Sequence, residues 1–128
     1  MARGDELLDR VRRICAAFPD VAERPSHGTP TWFVSGRKSF VQLWPDGHHR
    51  DEFPHLWCAA SPGAQEELIA TNSRVFFRPP YVGHRGWVGV RLDQDASWAE
   101  VAELCEDAYR AVAPKRLLAQ LDTAPQTN

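Results

Sequence analysis

No run of apolar residues in this 128-residue chain approaches the roughly 20 needed to cross a bilayer, which argues against a membrane-spanning helix. The start, Met1-Ala2-Arg3-Gly4-Asp5, leads straight into a charged amphipathic segment, and with that a cytoplasmic location is expected. Cysteine is scarce. Cys15, Cys58 and Cys105 are odd in number, widely separated and set among apolar neighbours, against both a disulfide framework and a zinc knuckle; they read as core thiols. Strongly basic charge is also missing: a net charge of −2 and a pI near 6.2 fall short of a dedicated duplex binder. Nowhere does a nucleophile stand with a base, a glycine-rich loop with a phosphate-binding pattern, or a set of ligands with metal spacing. No catalytic residue, metal or cofactor is assigned on that basis.

What the chain does have is enough apolar material for one core, with 43% hydrophobic and 10% aromatic residues. A single domain over residues 1–121 is expected, with 122–128 as a loose polar tail. The charge is unevenly spread. Residues 24–91 carry eight Arg/Lys against five Asp/Glu, a sum of +3, whereas residues 1–23 sum to −1 and residues 92–128 to −4.

The periodicity predicts alternating helices and strands. Leu7, Leu8, Val11, Ile14, Cys15 and Phe18 recur at helical spacing behind a capping Asp5, and Pro19-Asp20 ends the segment. A loop through Pro25 and Pro30 leads to a hairpin of residues 31–34 and 40–44 around Ser35-Gly36-Arg37-Lys38. Residues 55–60 read as a third strand that stops at Ser61-Pro62, where serine caps a short helix running to about residue 71. Residues 75–78 and 87–92 are the remaining strands, joined by a connection rich in proline and glycine. Ser97 with Glu100 forms a capping box for a final long helix ended by Pro114, and Leu117, Leu118 and Leu121 add one more helical turn.

Side chains alternate across a sheet, so each strand sorts its residues into two sets. Val41, Leu43, Leu56, Cys58, Ala60, Val75, Phe77, Val88, Val90 and Leu92 form an aliphatic set suited to cover by helices. Phe40, Gln42, Trp44, His55, Trp57, Phe76, Arg78, Trp87 and Arg91 form the other, mixing large rings with cations. Two readings stand side by side. Tryptophan faces beside arginine stack on planar ligands, each stacked base being worth about 1–3 kcal/mol. Alternatively, the tryptophans make a second small core roofed by the 79–85 connection or the C-terminal leucines, with Arg78 and Arg91 on its rim.

Other constellations carry less. His48, His49, Asp51, Glu52 and His55 match no helix-borne metal motif and read as solvated loop residues. His55 and Cys58, three apart on a strand, point to opposite faces and make no nucleophile and base pair. His27-Gly28-Thr29-Pro30 sets a backbone turn. Arg37 and Lys38 at a hairpin tip, with Arg50, His84 and Arg85 on other loops, reach outward as wings toward phosphates.

The series His27-Gly28-Thr29-Pro30-Thr31-Trp32-Phe33, Gly36-Arg37-Lys38-Ser39-Phe40, Gly86-Trp87-Val88-Gly89-Val90-Arg91-Leu92 and Ala108-Tyr109-Arg110 resembles the MmcQ/YjbR family over nearly the whole chain. The resemblance implies a CyaY-like (frataxin-like) α+β fold, an antiparallel sheet of about five strands with N-terminal, middle and C-terminal helices. It also implies a DNA-binding role with a double-wing arrangement and carries over no catalytic residue. Arg10, Arg12 and Arg13 interrupt the acids Asp5, Glu6 and Asp9 on the first helix, unlike the acidic iron-binding ridge of true frataxins. The expectation is therefore a non-enzymatic protein that binds DNA weakly, using Arg37, Lys38, Arg50, Arg78, Arg85 and Arg91 for phosphates and Trp44, Trp57 or Trp87 for stacking. A small-molecule binder or enzyme with a Trp/His/Arg pocket that includes His55 stays open. So does a protein-interaction domain whose aromatics form an oligomer interface, the chain being a monomer or small homo-oligomer with no membrane partner.

Overall fold

Apolar residues at three- and four-residue spacing fold the first segment into α1 (Arg3–Ala16) of the computed structural model, which describes residues 3–48, 51–94 and 97–123. Asp5 stands inside the first turn of α1 instead of capping it. Six strands follow, β1 (Val21–Ser26), β2 (Thr29–Val34), β3 (Lys38–Trp44), β4 (His55–Cys58), β5 (Phe76–Phe77) and β6 (Val88–Arg91), all antiparallel in the order β1-β2-β3-β4-β6-β5. Helices α2 (Ala64–Thr71), α3 (Trp98–Val112) and α4 (Lys115–Thr123) complete the α+β architecture.

The sixth strand is β1, which the sequence reads as loop. Its pattern hides it: the four central residues are all exposed, and Pro25 offers no donor. An edge strand pairs on one side only, so it needs neither an apolar face nor a donor at every position, and β1 pairs with β2 from Val21 opposite Val34 to Ser26 opposite Thr29. Helix α2 also begins later than expected. Ser61 accepts the Ala64 amide in a turn, and Gly63 precedes the helix at φ 87, where serine capping had been predicted. At the far end α4 takes in Asp122, which binds Arg110 at 2.6 Å; residues 124–128 of the expected tail lie outside the described residues.

One face of the sheet is closed by helices. Leu43, Leu56, Cys58, Val88 and Val90 pack there against Val11 and Cys15 of α1 and Val101, Cys105, Ala108 and Tyr109 of α3. Ser97 accepts the Glu100 amide at 3.0 Å and starts α3 as predicted. Tyr109 stacks on Phe18 at 5.1 Å, meets Phe40 edge-on at 5.6 Å and donates its hydroxyl to the Pro19 carbonyl at 2.7 Å. Cys15, Cys58 and Cys105, distant in sequence, meet in this core as free thiols. Burial, then a hydrogen bond to Cys105, pushes the Cys15 thiol well up, and for Cys58 the bond to Cys105 leads and burial follows.

Three residues change face relative to strict alternation. Pairing shifts between Trp32 and Phe33, so that β3 carries one extra residue, and this bulge turns Phe40 toward α3 beside Val41. In β5 the phase is reversed: Phe76 lies opposite Val90 and Phe77 opposite Gly89, so Phe76 joins the helix-covered face and Phe77 the other. A two-residue strand has too little pattern to specify its own register, and a slip of one residue exchanges its faces.

Candidate functional site

On the face turned away from α3, β3 and β4 set Gln42 opposite Trp57 and Trp44 opposite His55. These side chains stand close because directly paired strand residues share a face. The Trp44 and Trp57 rings lie 4.8 Å apart, and His48 meets them at 4.9 and 5.5 Å. Toward β6 the cluster continues through His55 and Phe77 at 5.3 Å and Phe53 and Phe77 at 5.5 Å. Phe77 lies so close across Gly89 that a Cβ at that position would collide with the ring, which accounts for glycine in the middle of β6.

Loops form the rim. The turn after β3 is closed by the Gly47 amide on the Trp44 carbonyl, and His48 and Asp51 exchange backbone hydrogen bonds at 2.9 and 2.8 Å. Gly47 is needed there twice over: its φ is 84, and a Cβ would stand 2.6 Å from the Asp51 carbonyl. On the opposite side Pro79-Pro80 delivers Tyr81 at φ 64, 68% exposed, with its ring edge-on to His48 at 6.0 Å. A buried side chain secures this second loop. Gln65 of α2 donates through Nε2 to the Gly83 carbonyl at 2.9 Å and to the Trp87 carbonyl.

Between the loops lies a cavity of about 560 Å³ lined by His27, Gln42, Trp44, His48, Trp57, Tyr81 and Val82. Among the described residues no Asp, Glu, Lys or Arg lines it. Its floor is tied by Gln42, whose Nε2 donates to the Ser26 carbonyl and to the Thr31 hydroxyl, both at 3.1 Å. The indole N–H groups of Trp44 and Trp57 are buried and reach no acceptor among the described residues. Tryptophan is a donor only, so each is an unmet demand for a hydrogen-bond acceptor. His55, fully buried, faces the Phe53 carbonyl through Nδ1 at 2.6 Å, which requires the N–H on Nδ1 and leaves Nε2 as an acceptor without a partner. Burial lowers its pKa, only partly opposed by that hydrogen bond, so the ring stays neutral.

Of the residues singled out from sequence, Trp44, His55 and Trp57 come together. The arginines do not join them. Arg91 is held by Asp93 at 2.9 and 3.0 Å and lies over Phe53 at 3.9 Å, Arg85 lies over Trp87 at 5.4 Å, and Arg78 folds against Gly83. Arg37 and Lys38 stand at the β2–β3 turn, at the other end of β2 from His27, and Arg50 lies outside the described residues. Trp57 and Trp87 are 3% and 5% exposed, too little ring surface for the open stacking platform that binding along a nucleic-acid strand requires. Tyr81 is the one exposed large hydrophobic among the described residues, which leaves no broad aromatic patch for an oligomer interface. Sequence reasoning passed over Gln65 and Tyr81. A buried glutamine in a short helix has no motif, whereas tyrosine behind two prolines is a visible signal of a presented side chain.

Comparison with known proteins bears on the fold and the family. The YjbR family model matches residues 16–111. The crystal structure of Deinococcus radiodurans protein DR2400, a DUF419 domain, superposes with a TM-score of 0.73 at 19% identity, covering 94% of this chain and 91% of that one. No curated protein matches.

Proposed function

The chain belongs to the YjbR family, and within that frame we propose that it is a binding protein for a small, planar, uncharged molecule seated in the Trp44/Trp57 cleft. One observation carries this reading: the Trp57 N–H is buried beside a cavity of about 560 Å³ and has no acceptor among the described residues. An unsatisfied buried donor costs about 1–3 kcal/mol, which a ligand carbonyl or ring nitrogen would recover on binding. The volume falls within the usual range for small-molecule sites, roughly 300–1,000 Å³. An uncharged lining favours a neutral heteroaromatic body with acceptor edges, such as a nucleobase, over a carboxylate or phosphate.

This reading takes precedence over the DNA-binding expectation. That expectation rests on tryptophan stacking and on a set of arginines; Trp57 and Trp87 offer no open stacking platform to a strand, and Arg91, Arg85 and Arg78 are engaged elsewhere. Three free buried thiols suit a reducing compartment. The test is a calorimetric titration of the full chain with adenosine, guanosine, uridine and riboflavin, repeated with Trp57→Phe. At least one of the four should bind, and the variant, which keeps a ring and loses the donor, should bind it roughly tenfold more weakly. Equal affinity in the two proteins would sink the proposal, as would silence toward all four compounds.

A further inference from the structure

A second cavity, of about 500 Å³, opens at the other end of β2, between the β2–β3 turn and the junction of α3 with α4. Its walls are Val34, Val112 and Pro114, and its charges are Arg37, Lys38 and Arg116. The turn is held in shape. Ser35 and Gly36 both take positive φ, as in the tight turns that suit hairpins, the Arg37 amide donates to the Val34 carbonyl at 3.0 Å, and the Ser35 amide and hydroxyl bind Asp20, each at 2.8 Å. Asp20 is the carboxylate behind this wall, engaged with Ser35, and does not line the cavity.

The three cations are unlike most others on the molecule. Arg12, Arg91 and Arg110 form ion pairs, and Arg10, Arg24 and Arg85 lie over aromatic rings. Among the described residues no carboxylate stands within ion-pair distance of Arg37, Lys38 or Arg116, although they converge on one recess. Cations brought together from two separate parts of the chain repel one another, and an anion between them relieves that repulsion.

We propose that this recess binds the phosphate group of a small phosphate ester, with Arg37 and Arg116 supplying guanidinium N–H donors and Lys38 a mobile ammonium. A walled recess with three cations matches one compact, multiply charged group. A duplex would instead require a stripe of free cations along its backbone, and Arg12, Arg85, Arg91 and Arg110 are dispersed and engaged elsewhere. This site is separate from the aromatic cleft, so either proposal can fail alone.

The experiment is a titration of the ¹⁵N-labelled full chain with pyrophosphate at constant ionic strength, followed by amide chemical shifts. The same titration is run with inorganic phosphate and with a 12-base-pair DNA duplex as probes. Saturable shifts should centre on residues 35–38 and 115–116, and Arg116→Glu should weaken pyrophosphate binding roughly tenfold or more. Lys38→Gln should weaken it less. Arg74→Glu, the same charge change at an exposed position outside the recess, should change affinity less than about twofold, as expected for screened charges. Equal losses in Arg74→Glu and Arg116→Glu would overturn the proposal by making the effect one of net charge. So would an absence of saturable shifts, or a duplex that binds through the same residues more tightly than pyrophosphate.

Discussion

The two faces of this sheet are made by the same strands and finished by different means. On the side of α1 and α3, aliphatic side chains and the Phe18, Phe40 and Tyr109 rings fill the space, and the one polar handle among those rings, the Tyr109 hydroxyl, reaches the Pro19 carbonyl. On the other side, rings of similar size stand at similar spacing, yet among the described residues the Trp44 and Trp57 donors and the His55 Nε2 acceptor find no partner. Ring spacing therefore does not distinguish them; polar satisfaction does. A face that only had to be stable would gain by replacing these groups with apolar rings, and the proposed ligand is what would supply the missing partners.

Substitution should separate the faces most clearly at Phe40 and Phe77. Phe40→Ala removes a fully buried ring from the contact with Phe18 and Tyr109 and should cost about 3–5 kcal/mol. Phe77→Ala, at a half-buried ring under loops, should cost distinctly less, since the loops can settle into the space. Urea denaturation measures both. Equal losses would mean that the loop-covered face is as rigid a core as the helix-covered one.

The next effect is at the tie between α2 and the loop that roofs the cleft. Gln65→Leu keeps volume and removes both hydrogen bonds, leaving the Gly83 and Trp87 carbonyls to find other donors, at a cost of about 1–3 kcal/mol. Hydrogen exchange should rise in residues 79–86 and leave α3 protected. Faster exchange throughout the chain would show that this loop belongs to the global folding unit instead.

The histidine at the centre of the loop-covered face gives a pH-dependent version of the same contrast. Burial holds the folded-state pKa of His55 below its ordinary value of 6.5, so below that pH the unfolded chain takes up a proton that the folded chain resists. The contribution to stability is whole above about pH 6.5 and is lost as pH falls toward the folded-state pKa. Midpoints in urea measured between pH 7.5 and 5 should fall with acidification, and His55→Phe should flatten that slope relative to the native chain. An unchanged slope would show that His55 is not the group responsible.

The contrast between faces was half legible in the amino-acid sequence. Period-two sorting of β3, β4 and β6 separates Leu43, Leu56 and Val90 from Trp44, His55 and Trp57 correctly, because long enough strands with one apolar side declare their register. Phe40 and Phe77 were misplaced for reasons that alternation cannot carry: a bulge that depends on how β2 pairs, and a strand of two residues. The arginine-lined pocket did not form because arginine side chains are long enough to choose partners from several directions, and Asp93 and the Phe53 and Trp87 rings were within reach. The edge strand β1 was invisible since nothing about it is buried enough to leave a pattern.

The smallest effect is also the sharpest comparison, because it pits two nearly buried tryptophans against each other. Trp32 is 1% exposed on the helix-covered face, and its indole faces Glu23, a carboxylate held below its usual range first by Arg12 and also by that indole. Trp57 is 3% exposed, and its indole N–H has no partner. Phenylalanine at either position removes similar volume. Trp32→Phe also removes a donor that favours the charged Glu23 carboxylate and should cost about 0.5–1.5 kcal/mol more than packing alone, whereas Trp57→Phe deletes an unmet donor and should lose under about 0.5 kcal/mol beyond packing in the ligand-free protein. Thermal unfolding of the two variants side by side measures the difference. If Trp57→Phe proves as costly as Trp32→Phe, the Trp57 donor is already satisfied in solution, and the cleft has no unmet acceptor demand for a ligand to answer.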